Sequence, residues 1–394
     1  AFGVTIFSPL GGSFAAQGAL AGILGAFAVG LVAAACGGTN RLISAPCAPA
    51  AAVLAAFAIQ VTQHGIAPQT ALLLLIFMGL ACGLLQVLFG AIGIGRLIKY
   101  MPYPVVSGYL SGVGLIIIVS QIPKFLGVPK STAFWAALVS PDLWQWQGVI
   151  VGAVTVIVMV LAPKLTRAVP AAILALAAGV LAYFGLGLAD RTLFELSGNP
   201  LVVGSIGGSD AGFLDGIVAR WNGISGVKLV DIAGVLMPAL TLAVLLSIDT
   251  LKTCVVLDAL TRSRHNSNRE LIGQGLGNLA STFIGGVQGA GQMGATLVNI
   301  SSGGQTRVSG LIEGALALAA LLVLGGLIAW VPIAGLAGIL IVIGVRMFDR
   351  ASLHLLKSRS TILDFMVIVI VVVVAETISL IAASGVGIGL AIFL

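Results

Sequence analysis

The chain is 394 residues long, 59% apolar and 8% charged, with a mean hydropathy of +1.16, whereas a water-soluble protein carries nearer ~25% charged residues. Its 19 basic and 13 acidic residues cannot clothe a water-exposed surface of this size, which excludes a soluble enzyme and a disordered chain. The net charge of +6 and pI of 9.4 come from thin, scattered charges, so they carry topology rather than a nucleic-acid surface.

A membrane helix needs ~20 apolar residues and a half-helix fewer. Apolar runs between breakers predict about fourteen segments. In the first half these are a stub at 1–7, then 17–36, a short segment from 44–49 to 61, 70–94, 105–126, 148–161 and 168–186. A polar stretch at 190–231 follows. The second half reads 232–256, 271–284, a short 290–300, 308–330, 333–345, 362–375 and 377–394. No secretory signal pattern is present. The first residue is Ala1, inside an apolar run, and 385–394 is apolar too, so further chain is expected on both sides.

With alternate loops assigned to one side, that side holds 13 basic residues, among them Arg41, Arg96, Lys164, Arg262, Arg264, Arg269, Arg307 and Arg346. The other side holds 5, namely Lys124, Lys130, Arg191, Arg220 and Lys228. The positive-inside rule puts the first set in the cytoplasm. Seven segments per half invert the second half relative to the first, as in the inverted repeats of secondary transporters. The third segment of each half is short and full of breakers: Ile43-Ser44-Ala45-Pro46-Cys47-Ala48-Pro49 and Gly289-Ala290-Gly291-Gln292-Met293-Gly294-Ala295-Thr296. Such pairs point to a midplane binding site between two half-helices, segments 3 and 10. The expected fold is all-α and polytopic, with no cofactor.

Three acids lie within apolar segments, where each needs an explanation. Asp249 is four residues before Thr253, so the two share a helix face. A carboxylate and a hydroxyl at that spacing can share a proton or a small hard cation such as Na⁺; an internal pair with Lys252 is the alternative. Glu313 is expected to snorkel to the cytoplasmic surface or to pair with Arg307, and Glu376 to sit at a break between segments near the outer surface. His64, His265 and His354 fall in predicted loops, no HExxH motif occurs, and neither Lys130-Ser131 nor Lys357-Ser358 follows Gly-x-x-x-x-Gly. Enzymatic chemistry and nucleotide hydrolysis are therefore not expected. Cys36, Cys47, Cys82 and Cys254 lie in apolar stretches without a metal-ligand spacing and read as buried thiols.

The stretch Arg264-His265-Asn266-Ser267-Asn268-Arg269-Glu270-Leu271-Ile272-Gly273-Gln274-Gly275-Leu276-Gly277-Asn278 resembles the sulfate permease (SulP) anion transporters, whose pattern is a basic loop leading into Asn-x-Glu-Leu-x-Gly-Gln-Gly-x-x-Asn. Tyr103-Pro104-Val105-Val106-Ser107-Gly108 and Thr296-Leu297-Val298-Asn299 with Ser302-Gly303-Gly304-Gln305-Thr306 are similar to two further stretches of the family, in the expected order. The resemblance implies a core domain (1–100 and 232–330) and a gate domain (101–190 and 331–394), joined by an extracytoplasmic connection at 191–231. It implies a substrate site at Phe2, Cys47, Ala48, Gln292, Met293, Gly294, Ala295 and Thr296, with Asp249 in the family's acidic position and Thr253 beside it for the coupling ion. Many animal members carry Ser-Arg where this chain has Gly294-Ala295, so the fixed positive charge is absent. The C-terminal regulatory (STAS) domain of the family is also absent from these residues.

Two facing half-helix N-termini, each equivalent to about +0.5 charge, make an anion site without a basic side chain. The expected function is secondary transport of a small anion (sulfate, bicarbonate or a dicarboxylate) across a bacterial inner membrane, with H⁺ or Na⁺ as co-substrate. Asp249 takes the proton, or with Thr253 seats the sodium. A nucleobase or neutral-solute permease on the same fold, and an anion channel, are the alternatives. The partners are the anion, the cation and membrane lipid, with no nucleic acid; a homodimer is open.

Overall fold

A computed structural model describes residues 2–11, 14–63, 65–98, 103–129, 132, 134–165, 171–196, 199–204, 229–348, 362–377 and 386. Ala1, His64, His354, Lys130, Arg220, Lys228, most of the 190–231 stretch and nearly all of the last predicted segment lie outside them.

In chain order the first half contains α1 (Phe2–Phe7), α2 (Phe14–Cys36), β1 (Ser44–Pro46), α3 (Ala48–Gln63), α4 (Pro68–Ala91), α5 (Gly95–Ile98), α6 (Tyr103–Phe125), α7 (Phe134–Val139), α8 (Trp146–Leu165) and α9 (Ala171–Gly187). The second half contains α10 (Leu229–Thr261), α11 (Ser267–Phe283), β2 (Gly289–Gly291), α12 (Met293–Ser301), α13 (Val308–Ala329), α14 (Ile333–Met347) and α15 (Ile362–Thr377). The predicted segments up to residue 375 match these helices within a few residues; the sequence reading did not include α5 and α7, which are too short to register as apolar runs. Glu376 falls in the last turn of α15, and the residues that follow Thr377 in the predicted break lie outside the described ones. Among the described residues, Ala16–Cys36, Pro68–Ala91, Trp146–Leu165 and Gly234–Thr261 are each long and apolar enough to cross a bilayer.

Local chemistry sets the ends. Pro68 occupies the first turn of α4, where its missing N–H costs nothing. Asn266 caps α11, its side chain accepting from Arg269 N at 3.1 Å. Gly285, at φ 77°, turns the chain from α11 toward β2.

The chain divides into two compact units. One comprises residues 2–101 and 207–325, the other 102–206 and 326–394 with Ala1. In the first, α11 lies against both α2 and α4, and glycines make room for it. A Cβ at Gly275 would meet the Gly83 carbonyl oxygen of α4 at 2.6 Å, and one at Gly277 would meet Val29 of α2 at 3.3 Å. Leu24 of α2, Met78 of α4 and Leu271 of α11 are fully buried, as are Leu242, Leu246 and Leu251 of α10.

In the second unit α14 packs on α6 and α8, and α15 on α6. Val151, Tyr183, Leu193 and Val202 form one apolar cluster there, Met159, Ala175, Ile339 and Val342 another. The buried Tyr183 hydroxyl donates to Leu193 O at 2.8 Å and accepts from Asn199 at 2.7 Å, tying α9 to the segment after it. Beyond α9, the Thr192 hydroxyl and N–H both donate to Asp190 and hold its carboxyl below the usual carboxylate range.

Candidate functional site

The two breaker clusters meet inside the first unit. β1 and β2 pair antiparallel, Ser44 opposite Gly291, Ala45 opposite Ala290 and Pro46 opposite Gly289. Each strand runs into a half-helix, α3 from Ala48 and α12 from Met293. Because the strands are antiparallel, the two helix N-termini flank the pair from opposite ends. Short strands here solve a polar problem: an irregular backbone at membrane depth must satisfy its N–H and C=O groups internally.

The join is stitched by specific bonds. Gln292 N donates to Ile43 O at 2.7 Å, Ile43 N donates to Thr296 Oγ1 at 3.1 Å, and Gln292 Nε2 reaches Ala45 O at 3.4 Å. The α12 N-terminus is nonetheless open. Gln292 makes no side-chain cap, Gly294 and Ala295 are exposed, and a Cβ at Gly294 would meet nothing within 4 Å. The α3 N-terminus is closed by comparison: Cys47 and Ala48 are buried, and Pro49 brings no N–H. Phe2 is half-buried at the start of α1, which packs on α3.

α10 holds β2 from the side. Gly291 N donates to Thr250 Oγ1 at 3.0 Å, and Thr253 Oγ1 donates to Gly291 O at 3.1 Å and to Asp249 O at 3.0 Å. The Thr253 hydroxyl proton is thus directed at carbonyls, leaving its oxygen lone pairs for any cation. The half-buried Asp249 shares the turn and lies within electrostatic reach of Cys47. Lys252 is exposed and makes no ion pair with it among the described residues. Nowhere among those residues do three His, Cys, Asp or Glu side chains converge as metal ligands.

α11 holds the strands from another side, through residues spaced by four. Glu270 accepts from Gly38 N at 2.8 Å, from the Thr39 hydroxyl, and from Gln274 Nε2 at 3.0 Å. Gln274 Nε2 also donates to Ser44 Oγ of β1 at 2.6 Å. Asn278 grips both backbone groups of Gly289 in β2, accepting at 2.8 Å and donating at 3.0 Å, and donates to Gln86 Oε1 at 2.7 Å. All three side chains are buried. Thr250, Gln274 and Asn278 are the site-building residues absent from the sequence-based set. Their signal was present as a polar run beside Asp249 and as one face of the Glu-x-x-x-Gln-x-x-x-Asn stretch.

One expectation needs correction. Glu313 does not pair with Arg307, whose Nε and Nη1 donate to Asn40 Oδ1 and Ala35 O, both at 3.2 Å. Nor does it snorkel free: its Oε2 is buried without a hydrogen-bond partner, against Gly30 of α2. His265, placed in a loop, is locked there, with Nδ1 2.7 Å from Asp258 Oδ2 and Nε2 2.9 Å from Ser267 Oγ.

Residues 10–371 match the family model described as the sulfate permease family. The bicarbonate transporter BicA of Picosynechococcus sp. is 34% identical over 384 residues, covering 95% of this chain and 64% of that protein. The putative sulfate transporter YvdB of Bacillus subtilis is 28% identical over 293 residues, covering 73% of this chain and 53% of that one. The chain therefore spans less than two thirds of the length of these relatives, each named as a transporter. The solved transmembrane domain of a cyanobacterial bicarbonate transporter BicA superposes with a TM-score of 0.76 at 32% identity, covering 97% of this chain and 95% of that one. The strand-crossed half-helices thus sit in a known multi-pass transmembrane fold, and the chain belongs to the sulfate permease family.

Proposed function

We propose that the chain is the membrane part of a secondary transporter of a bacterial plasma membrane, which moves a small anion by alternating access together with a cation. The unit holding β1 and β2 is the core that carries substrate, and the other unit is the gate. The observation that carries this reading is the pair of half-helices springing from one antiparallel strand crossing, with the α12 N-terminus uncapped and open. Free N–H groups there offer about half a positive charge, and Gly294 and Ala295 let a ligand approach the backbone. The relative at 34% identity is named a bicarbonate transporter, which favours a compact oxyanion of that kind, with sulfate and small dicarboxylates next.

Asp249 supplies the coupling. A negative side chain beside an anion at membrane depth is unfavourable, and a proton or Na⁺ at Asp249 removes that conflict. Anion and cation then each tighten the other, by reciprocal linkage. The proton fits better, because it needs one oxygen of Asp249, whereas Na⁺ needs several ligands and the neighbouring Thr250 hydroxyl is already bonded to Gly291 N.

The test is uptake of labelled bicarbonate, sulfate and a dicarboxylate into proteoliposomes under imposed H⁺ or Na⁺ gradients, with Ala295→Asp as the site variant. Ala295 is exposed, so the carboxylate leaves packing intact while setting a negative charge where the N–H groups point. At ~4 Å and an intermediate effective dielectric the repulsion is about 4 kcal/mol, enough to abolish saturable uptake. Uptake by a well-folded Ala295→Asp protein at the wild-type rate would place the site elsewhere.

A further inference from the structure

Glu313 sits one and a half turns into α13, where the helix closes on α2 through glycines. Oε2 of Glu313 occupies the place a Cβ on Gly30 would take, and Ser44 O of β1 lies 3.3 Å from that same position. Added Cβ atoms at Gly310 and Gly314 would meet Ala34 Cβ at 2.8 Å and Leu31 N at 2.7 Å, so the seam is tight on both sides of the acid. No hydrogen-bond donor reaches Oε2.

The charged and titratable groups around the seam are engaged elsewhere or remote. Glu313 is the one ionisable residue of α13, and Cys36, at the far end, is the one on α2. Arg307 is bonded to Asn40 and Ala35, and Arg269 Nε donates to Cys36 O at 3.3 Å. Glu270 is satisfied by Gly38, Thr39 and Gln274. Arg41, on the link between α2 and β1, makes no ion pair with Glu313 among the described residues. A carboxylate with one oxygen buried bare in a helix seam and no counter-ion is disfavoured, while the neutral acid is tolerated. Sodium would need several oxygens, and Ser44 Oγ is taken by Gln274. A proton needs one.

We propose that Glu313 is a proton-binding site separate from Asp249, loaded while α13 is closed on α2 and emptied when that seam admits water. The residue keeps part of its surface exposed, which gives the proton a way in and out. Since α2 also packs on β1, loading and unloading at Glu313 act on the strand crossing through α2.

The experiment is infrared difference spectroscopy of the whole chain in liposomes, stepping pH without any transported anion, on wild type, E313Q and D249N. The amide of E313Q has the shape of the neutral acid, so the variant should keep the wild-type melting temperature. The expected result is a carbonyl stretch of a neutral carboxylic acid that titrates in wild type and D249N and is lost in E313Q. Retention of that band in E313Q, or its loss in D249N alone, overturns the proposal. Should E313Q melt well below wild type, the acid is charged and paired in the folded protein, which overturns it equally. Because no anion is present, failure here and failure of the anion reading are separate results.

Discussion

The residues that matter most around the strand crossing are small or uncharged, and each acts through one or two atoms. Thr250 is the clearest case. Its hydroxyl oxygen is the acceptor for the buried Gly291 N–H, the group that fixes β2 against α10. Thr250→Val keeps the shape but strands that donor, a loss of about 1–3 kcal/mol, and should lower both the melting temperature and the affinity for the anion. Thr250→Ser should keep both. Equal melting of all three proteins would show that the bond contributes nothing. Asp249→Asn tests a different atom. It should still bind anion, measured by ligand-induced thermal stabilisation, but should no longer accumulate it in response to a pH or sodium gradient. Gradient-driven accumulation at the unmodified rate would remove Asp249 from the coupling.

Among the elements, α11 is the scaffold on which the crossing is built. Asn278 meets both polar groups of Gly289, so Asn278→Leu leaves a buried N–H and C=O bare at about 1–3 kcal/mol each. The variant should insert and retain its helices by circular dichroism, yet lose saturable anion binding. Wild-type binding would mean that β2 keeps its place without α11. The sequence allowed the row Glu270, Gln274, Asn278 to be placed on one helix face, but not its partners, since Ser44 and Gly289 come from distant parts of the chain. The half-helices were legible because Gly and Pro clusters recur at matching positions of the two halves. Glu313 was misread because nearness in sequence was taken for nearness in space. Six residues of helix turn a side chain by about 240° and advance it ~9 Å, which separates Glu313 from Arg307 and frees the arginine to reach back to the end of α2.

For the whole molecule, the charge bias of the loops makes a topology that can be probed directly. Position 265 suits cysteine labelling poorly, because the His265 ring is buried between Asp258 and Ser267. Arg264 and Gln63 are exposed and serve better. In a background lacking Cys36, Cys47, Cys82 and Cys254, a membrane-impermeant thiol reagent added to intact cells should modify Gln63→Cys and spare Arg264→Cys, with the reverse in inverted vesicles. Modification of both in intact cells would break the inside-positive assignment. The overall arrangement of segments was readable because lipid enforces long apolar runs and loop charges alternate with them. The short α5 and α7 were not, because helices of that length leave no hydropathy signature.

The pairing of Ser44 with Gly291 also bears on how the protein is made. A chain emerging from the ribosome completes β1 long before β2 exists, and contacts between such distant residues form late. Until then the polar edge of β1 and the Ser44 hydroxyl lack Gly291 and Gln274 and must be sheltered by water or by the insertion machinery. The strand crossing therefore cannot form until β2 has been made, and a ribosome that stalls just before residue 289 leaves behind a chain with α1 to α11 but without the strand pair.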